Sequence, residues 1–109
     1  MNIDKNDILS ILRKLYNTNS LSQRQIAKRI GLSLGKLNYC MKVLKQKGLI
    51  KYYNFKNNKN KKNYLYILTP KGISYKTKLT INFMKNKMRE YDELKLELKK
   101  EQLRNNIIK

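Results

Sequence analysis

Residues 22–48, SQRQIAKRIGLSLGKLNYCMKVLKQKG, constrain this chain more than any other stretch, because they carry two helical patterns joined by a turn too short for anything but a helix-turn-helix. Ser22 followed three residues later by Gln25 is a capping-box pattern: the hydroxyl accepts from the Gln25 N–H while the Gln25 side chain reaches back to the cap. Ile26, Ala27 and Ile30 give the first helix an apolar stripe, and Gly31 supplies the left-handed position that ends it. Ser33 caps the second helix. There Leu37, Cys40, Met41 and Leu44 fall at i, i+3, i+4 and i+7, so this face must look inward. Gly35, Tyr39, Lys42 and Gln46 then lie opposite, with Lys36, Asn38 and Val43 on the flanks. A small residue, an aromatic, amides and cations pointing outward suit a helix lying in a major groove. Gly48 stops the helix. The plainer reading is a helical hairpin in a small bundle with a solvated basic face.

Charge decides between these readings. The 109 residues include 26 Lys and Arg against 7 Asp and Glu, a formal net charge of +19, which is far beyond what solubility needs and implies a polyanionic partner. Its distribution is more telling than its total. Residues 8–89 hold 20 basic residues and no acid, whereas five of the seven acids lie within 90–101. AT-rich codon bias would inflate Lys, Asn, Ile and Tyr, but it does not account for 82 residues without an acid. A nucleic acid is therefore the expected partner, ahead of an anionic membrane surface. No segment approaches the roughly 18 consecutive apolar residues of a bilayer span. The opening MNIDKNDILS lacks a charged region followed by an apolar core, so it does not read as a signal peptide, and a cytoplasmic, nucleoid-associated location is expected.

The residue types present also bound the chemistry. One cysteine forbids an internal disulfide, and the place of Cys40 on an apolar face reads as an inert core thiol rather than a redox sensor. With no His, zinc, iron and copper lack a ligand set, and Ser-His or Cys-His pairs are unavailable. The glycines at 31, 35, 48 and 72 stand apart and form no phosphate loop. Neither an enzyme nor a metal or cofactor is expected.

The remaining chain fits around the helix pair. Asp4 caps a first helix running to about Tyr16, with Ile8, Ile11, Leu12 and Leu15 at helical spacing and Asp7 near the N-terminal dipole. Leu21, just before the Ser22 cap, suits a hydrophobic staple. After Gly48 the period changes from 3.6 to 2. Residues 49–55 and 63–68 mix β-branched and aromatic residues with partial alternation, and a polar, cationic loop over 56–62 joins them. A hairpin directly after a helix-turn-helix is a wing, whose Lys59, Lys61 and Lys62 would meet phosphates or an adjacent minor groove. The plainer alternative is a loop whose lysines are merely solvated. Thr69 as cap and Pro70 at the first position start a last helix, interrupted only by Gly72 and running to about Arg104, on the order of 50 Å at 1.5 Å per residue. Its Ile81, Met84, Met88, Tyr91, Leu94 and Leu98 are spaced by 3 and 4, a seam for another helix. Glu97 with Lys100 and Glu101 with Arg104 stand three apart and are positioned to pair, at ~0.3 kcal/mol each. The same helix of a second copy is the expected occupant of the seam; the helix's own domain and a different protein are the alternatives.

The stretch LSQRQIAKRIGLSLGKLNYCMKVLKQKGLI, with NFKNNKNKKNYLYILTPKGI after it, resembles the small MarR-type winged-helix regulators associated with bacterial exopolysaccharide gene clusters. The resemblance runs over residues 21–91, and it rests on the combination of SLGKLNYC, the wing opening NFKN and YLYILTPKGI, since LTPKG alone recurs among winged-helix regulators. It implies a transcriptional regulator that binds operator DNA as a homodimer. Larger MarR-type proteins add an N-terminal helix to the dimer interface and hold phenolic ligands in the crevice between; this chain opens at the helix before the helix-turn-helix, and its small-molecule effector is left unknown. Where larger members commonly carry an Arg in the wing, this wing offers lysines, point charges that suit phosphate or a narrow A·T-rich minor groove.

The expected architecture is mainly α with a β-hairpin wing: a winged helix-turn-helix over 1–69 and a long C-terminal dimerisation helix over 70–109. The expected function is sequence-specific regulation of transcription by a homodimer on a pseudo-palindromic double-stranded operator, with exopolysaccharide genes as the target the resemblance suggests. Arg24, Lys28 and Arg29 are expected to hold the DNA backbone, and Ser33, Gly35, Lys36, Asn38, Tyr39, Lys42 and Gln46 to face the groove, with Asn38 and Gln46 suited to adenine. The competing function is a nonspecific architectural DNA- or RNA-binding protein that uses charge and shape alone.

Overall fold

The computed structural model describes residues 3–18, 21–54 and 64–108. Helix α1 spans Lys5–Asn17, and its cap is Asp4, whose carboxylate accepts from the Asn6 N–H at 2.8 Å. Ile8, Leu9, Ile11, Leu12 and Leu15 bury one stripe of it. Helix α2, Gln23–Ile30, opens with both halves of the capping box: the Gln25 N–H donates to Ser22 Oγ at 3.2 Å, and the Ser22 N–H donates to Gln25 Oε1 at 2.9 Å. Two of the orphan donors that every helix start leaves are thereby satisfied. Gly31 then turns the chain at φ +77°, a backbone that a Cβ resists, and α2 ends there. Helix α3, Leu34–Gln46, is capped by Ser33, whose hydroxyl accepts from the Lys36 N–H at 3.2 Å. Leu37, Cys40, Met41 and Leu44 all face the interior, as their spacing predicts. Burial pushes the Cys40 thiol above its ordinary range, which holds it protonated and unreactive.

Strands β1, Ile50–Asn54, and β2, Tyr64–Leu68, pair antiparallel with Ile50 opposite Leu68 and Tyr52 opposite Tyr66. Opposite residues share a face, so Ile50, Tyr66 and Leu68 are buried together while Lys51 and Ile67 point outward. The core gathers the inward stripes of α1, α2 and α3 with this hairpin face, Leu21 and Leu79.

Helix α4, Pro70–Ile108, starts from a knot of contacts at the hairpin base. The Thr69 N–H donates to the Leu49 carbonyl at 3.1 Å, the Thr69 hydroxyl donates to the Gly48 carbonyl at 2.6 Å, and the same oxygen accepts from the Gly72 N–H at 3.0 Å. Gly72 is buried against Leu49, where any Cβ would run into the Leu49 carbonyl oxygen. Lys71 adds a bond from its ammonium to the Lys47 carbonyl at 3.1 Å.

Packing divides the chain into two compact units, Met1–Leu79 and Thr80–Lys109, so the opening of α4 belongs with the first. Within the second, residues 81–106 are all exposed. Among its described residues the ion pair that closes is Lys87–Glu90, at 3.4 Å, rather than Glu97–Lys100 or Glu101–Arg104. Among the described residues no helix is long and apolar enough to cross a membrane, and no cluster of metal-ligating side chains occurs.

Candidate nucleic-acid interface

The outward face of α3 carries Gly35, Asn38, Tyr39, Lys42 and Gln46, all exposed. No acid lies on that helix, and its cap leaves Ser33 exposed with its hydroxyl already accepting from the backbone. Lys36 sits differently from its neighbours. Its ammonium lies 2.9 Å from the Asp7 carboxylate of α1, and that hydrogen bond, with the attached Coulomb attraction, raises its pKa. Lys36 is thus a permanent cation whose charge is shared with Asp7, and a phosphate would have to compete for it. On α2, Arg24, Lys28 and Arg29 are exposed. Lys59, Lys61 and Lys62 lie outside the described residues.

Some of these side chains converge and others do not. Asn38 and Lys42 line a groove of about 340 Å³ together with Gln23, Lys45, Tyr52 and Tyr66, floored by Met41 and Ile50. Gly35, Tyr39 and Gln46 are on the same helix but not in this groove. Arg29 faces another way, into a shallow depression of about 310 Å³ that it shares with Arg13 and Lys14 of α1.

Sequence reasoning missed Lys45. Its ammonium donates to the Tyr52 hydroxyl at 2.6 Å and stands 4.0 Å from the ring centroid, so the aromatic face and the phenol oxygen hold one cation at the mouth of the groove. Tyr52 in turn packs at 56° against Tyr66, ring centroids 6.1 Å apart. The available signal was spacing: Asn38, Lys42 and Lys45 are separated by 4 and 3 and form one stripe. Gln23, at the start of α2, carried no such signal.

A tri-helical core, a short turn between α2 and α3, and an antiparallel hairpin immediately after α3 are now in place, and residues 4–51 match the family model described as winged helix-turn-helix DNA-binding. The fold is a winged helix-turn-helix. Solved structures share it. The PcaV transcriptional regulator from Streptomyces coelicolor superposes with a TM-score of 0.63 at 20% identity, over 72% of this chain and 56% of that one. A Staphylococcus aureus MarR, solved with salicylate and kanamycin, gives 0.65 at 20% identity over 80% of this chain and 57% of that one. The transcriptional repressor CouR, solved on a 23-mer DNA duplex, gives 0.58 at 19% identity over 66% and 49%. At these identities the likeness is one of fold, and this chain spans about half the length of these winged-helix proteins. No curated protein matches the sequence.

Proposed function

We propose that this protein is a sequence-specific DNA-binding transcriptional regulator that acts as a homodimer. The observation that carries the reading is the exposed face of α3, which offers amides, an aromatic, a glycine and cations in a stretch of 82 residues without an acid. CouR, whose winged helix is similar, was solved on a DNA duplex, which supports DNA as the partner here. In this reading α3 enters the major groove, Gly35 permits close approach, and Asn38 and Gln46 are suited to the N6 and N7 edge of adenine. Lys42 and Lys45 supply cations beside them, Arg24, Lys28 and Arg29 hold the backbone, and Lys59, Lys61 and Lys62 of the wing add phosphate or minor-groove contacts. Ser33 caps α3 close to the backbone, Tyr39 adds an aromatic contact, and Lys36 joins only by sharing its charge with Asp7.

The homodimer half of the reading is supported by the second compact unit, where Ile81, Met84, Met88, Tyr91, Leu94 and Leu98 are between 48% and 64% exposed. Covering such a seam with its own copy places two reading helices on one duplex, and two-fold symmetry then asks for a pseudo-palindromic operator with half-sites about one helical turn apart. Exopolysaccharide genes are the proposed targets, on the resemblance of residues 21–91, and the cytoplasmic nucleoid is the place of action. No effector is assigned.

Fluorescence anisotropy across a salt series tests this, using a duplex from upstream of the protein's own gene and a scrambled duplex of equal length. Binding at least ~1,000-fold tighter to the native fragment near physiological salt is expected. Equal affinities with one steep salt slope would overturn it in favour of the architectural reading, which has its own support in the 21 lysines among 26 basic residues.

A further inference from the structure

The exposed seam of α4 also carries an orientation. On a 3.5-residue repeat, Ile81, Met88 and Lys95 form one row and Met84, Tyr91 and Leu98 the next. Lys95 is the single charge in these rows. Charge is also uneven along the helix: residues 80–89 hold Lys85, Lys87 and Arg89 and no acid, while residues 90–99 hold Glu90, Asp92, Glu93 and Glu97 against Lys95 and Lys99. Two copies laid parallel and in register would set Lys95 against the partner's Lys95 within the contact. They would also align the two acid-free stretches with each other.

Resting on the homodimer reading above, we propose that two copies of this helix pair antiparallel, about a two-fold axis passing between residues 89 and 90. Each row of one copy then meets the other row of its partner. Met88 packs against the partner's Tyr91 beside the axis, and Ile81 packs against the partner's Leu98 at each end. Lys95 meets the partner's Met84, along which its methylene stem lies while the ammonium reaches water. On the flank, Lys85 faces the partner's Asp92, and symmetry repeats that pair on the other side. The acid-free stretch of each copy runs along the acidic stretch of the other. A lone charged residue in such rows, and charges beside them, are what fix alignment in paired helices.

Spin-label distances in the full-length protein test the alignment, with Cys40→Ala removing the native thiol and Leu98→Cys carrying the label. Residues 81 and 98 are 17 apart, so the antiparallel pair sets the two labelled positions about 25 Å apart along the axis at 1.5 Å per residue. A parallel pair sets them about 10 Å apart, the distance between packed helices, and that result overturns the proposal. Lys85→Glu in the otherwise native chain gives a second reading without the cysteine changes. It turns both flanking attractions into repulsions and should weaken the dimer about tenfold in sedimentation equilibrium, with Lys85→Glu/Asp92→Lys restoring it. An unchanged dimer constant for Lys85→Glu contradicts the alignment but leaves the homodimer standing. A native chain that sediments as a monomer at micromolar concentration removes both.

Discussion

In the proposed complex, Lys36 and Asp7 decide how many free cations α3 brings to DNA. The bond between them joins α1 to the first turn of α3 at 2.9 Å, and it is the reason the Lys36 pKa is raised. Asp7 is also one of only two acids in the first 89 residues, so its carboxylate sets a rare negative charge beside the proposed phosphate path. Asp7→Asn removes that charge and releases the ammonium. Affinity for native and scrambled duplexes should rise together, and the slope of log K against log salt should steepen by about 0.9 if Lys36 then takes up one phosphate. Anisotropy titrations of the two proteins between 50 and 200 mM salt check this. An unchanged slope would mean that Lys36 braces the helix and meets no phosphate. Asn38 and Lys42 are different, because among the described residues no hydrogen bond or ion pair competes for their side chains; replacing Asn38 should relax preference at one base position, while replacing Lys42 should weaken all duplexes alike.

At the level of elements, what was legible in the sequence was local. Ser22 with Gln25, Gly31, Ser33 and the Thr69-Pro70 pair cap or end a helix within three or four residues of themselves, so their spacing alone announced the starts of α2, α3 and α4 and the end of α2, while α4 runs to Ile108, past the expected end near Arg104. The inward stripe of α3 was equally plain, since helical period is a property of the strand of residues itself. What stayed hidden depends on contacts between distant segments. Lys45 meets Tyr52 only because β1 folds back beside α3, and Lys36 meets Asp7 across 29 positions. Gly72 read as a mere interruption of α4, whereas its cause is the Leu49 carbonyl, 23 positions away, lying where a side chain would be. The intrahelical ion pairs failed for the opposite reason: exposed pairs three apart are worth so little that spacing does not decide which one closes. Gly72→Ala therefore carries the sharpest test of this junction. The first turn of α4 is bonded to Leu49 and Gly48 and has no slack, so the extra methyl should cost about 1–3 kcal/mol, seen as a lower thermal midpoint by circular dichroism. Ala is the better helix former, so an unchanged or raised midpoint would mean that α4 can shift away from the hairpin at no cost.

Across the whole molecule the two compact units divide the electrical work. Residues 1–79 carry 18 of the 26 basic residues and two of the seven acids, while residues 80–109 carry the other eight basic residues and five acids. One unit is thus a concentrated polycation and the other is nearly balanced. A chain that, as proposed, approaches polyanionic DNA and also a second +19 chain faces opposed demands, because the charge that attracts the first repels the second. Confining five acids to residues 90–101, beside the helix seam, eases the second demand without weakening the first. The two equilibria should then answer to salt in different ways. If six or more phosphates are contacted, DNA affinity should fall by about 1,000-fold or more between 50 and 200 mM salt. The dimer constant, measured by sedimentation equilibrium over the same range, should move by only a few-fold, since screening removes repulsion between the basic units and attraction along the helices together. A dimer that tightens steeply with salt would mean that the acids of 90–101 do not offset the repulsion. One that dissociates steeply would mean that charge pairs, and not Ile81, Met88 and Leu98, hold the two copies together.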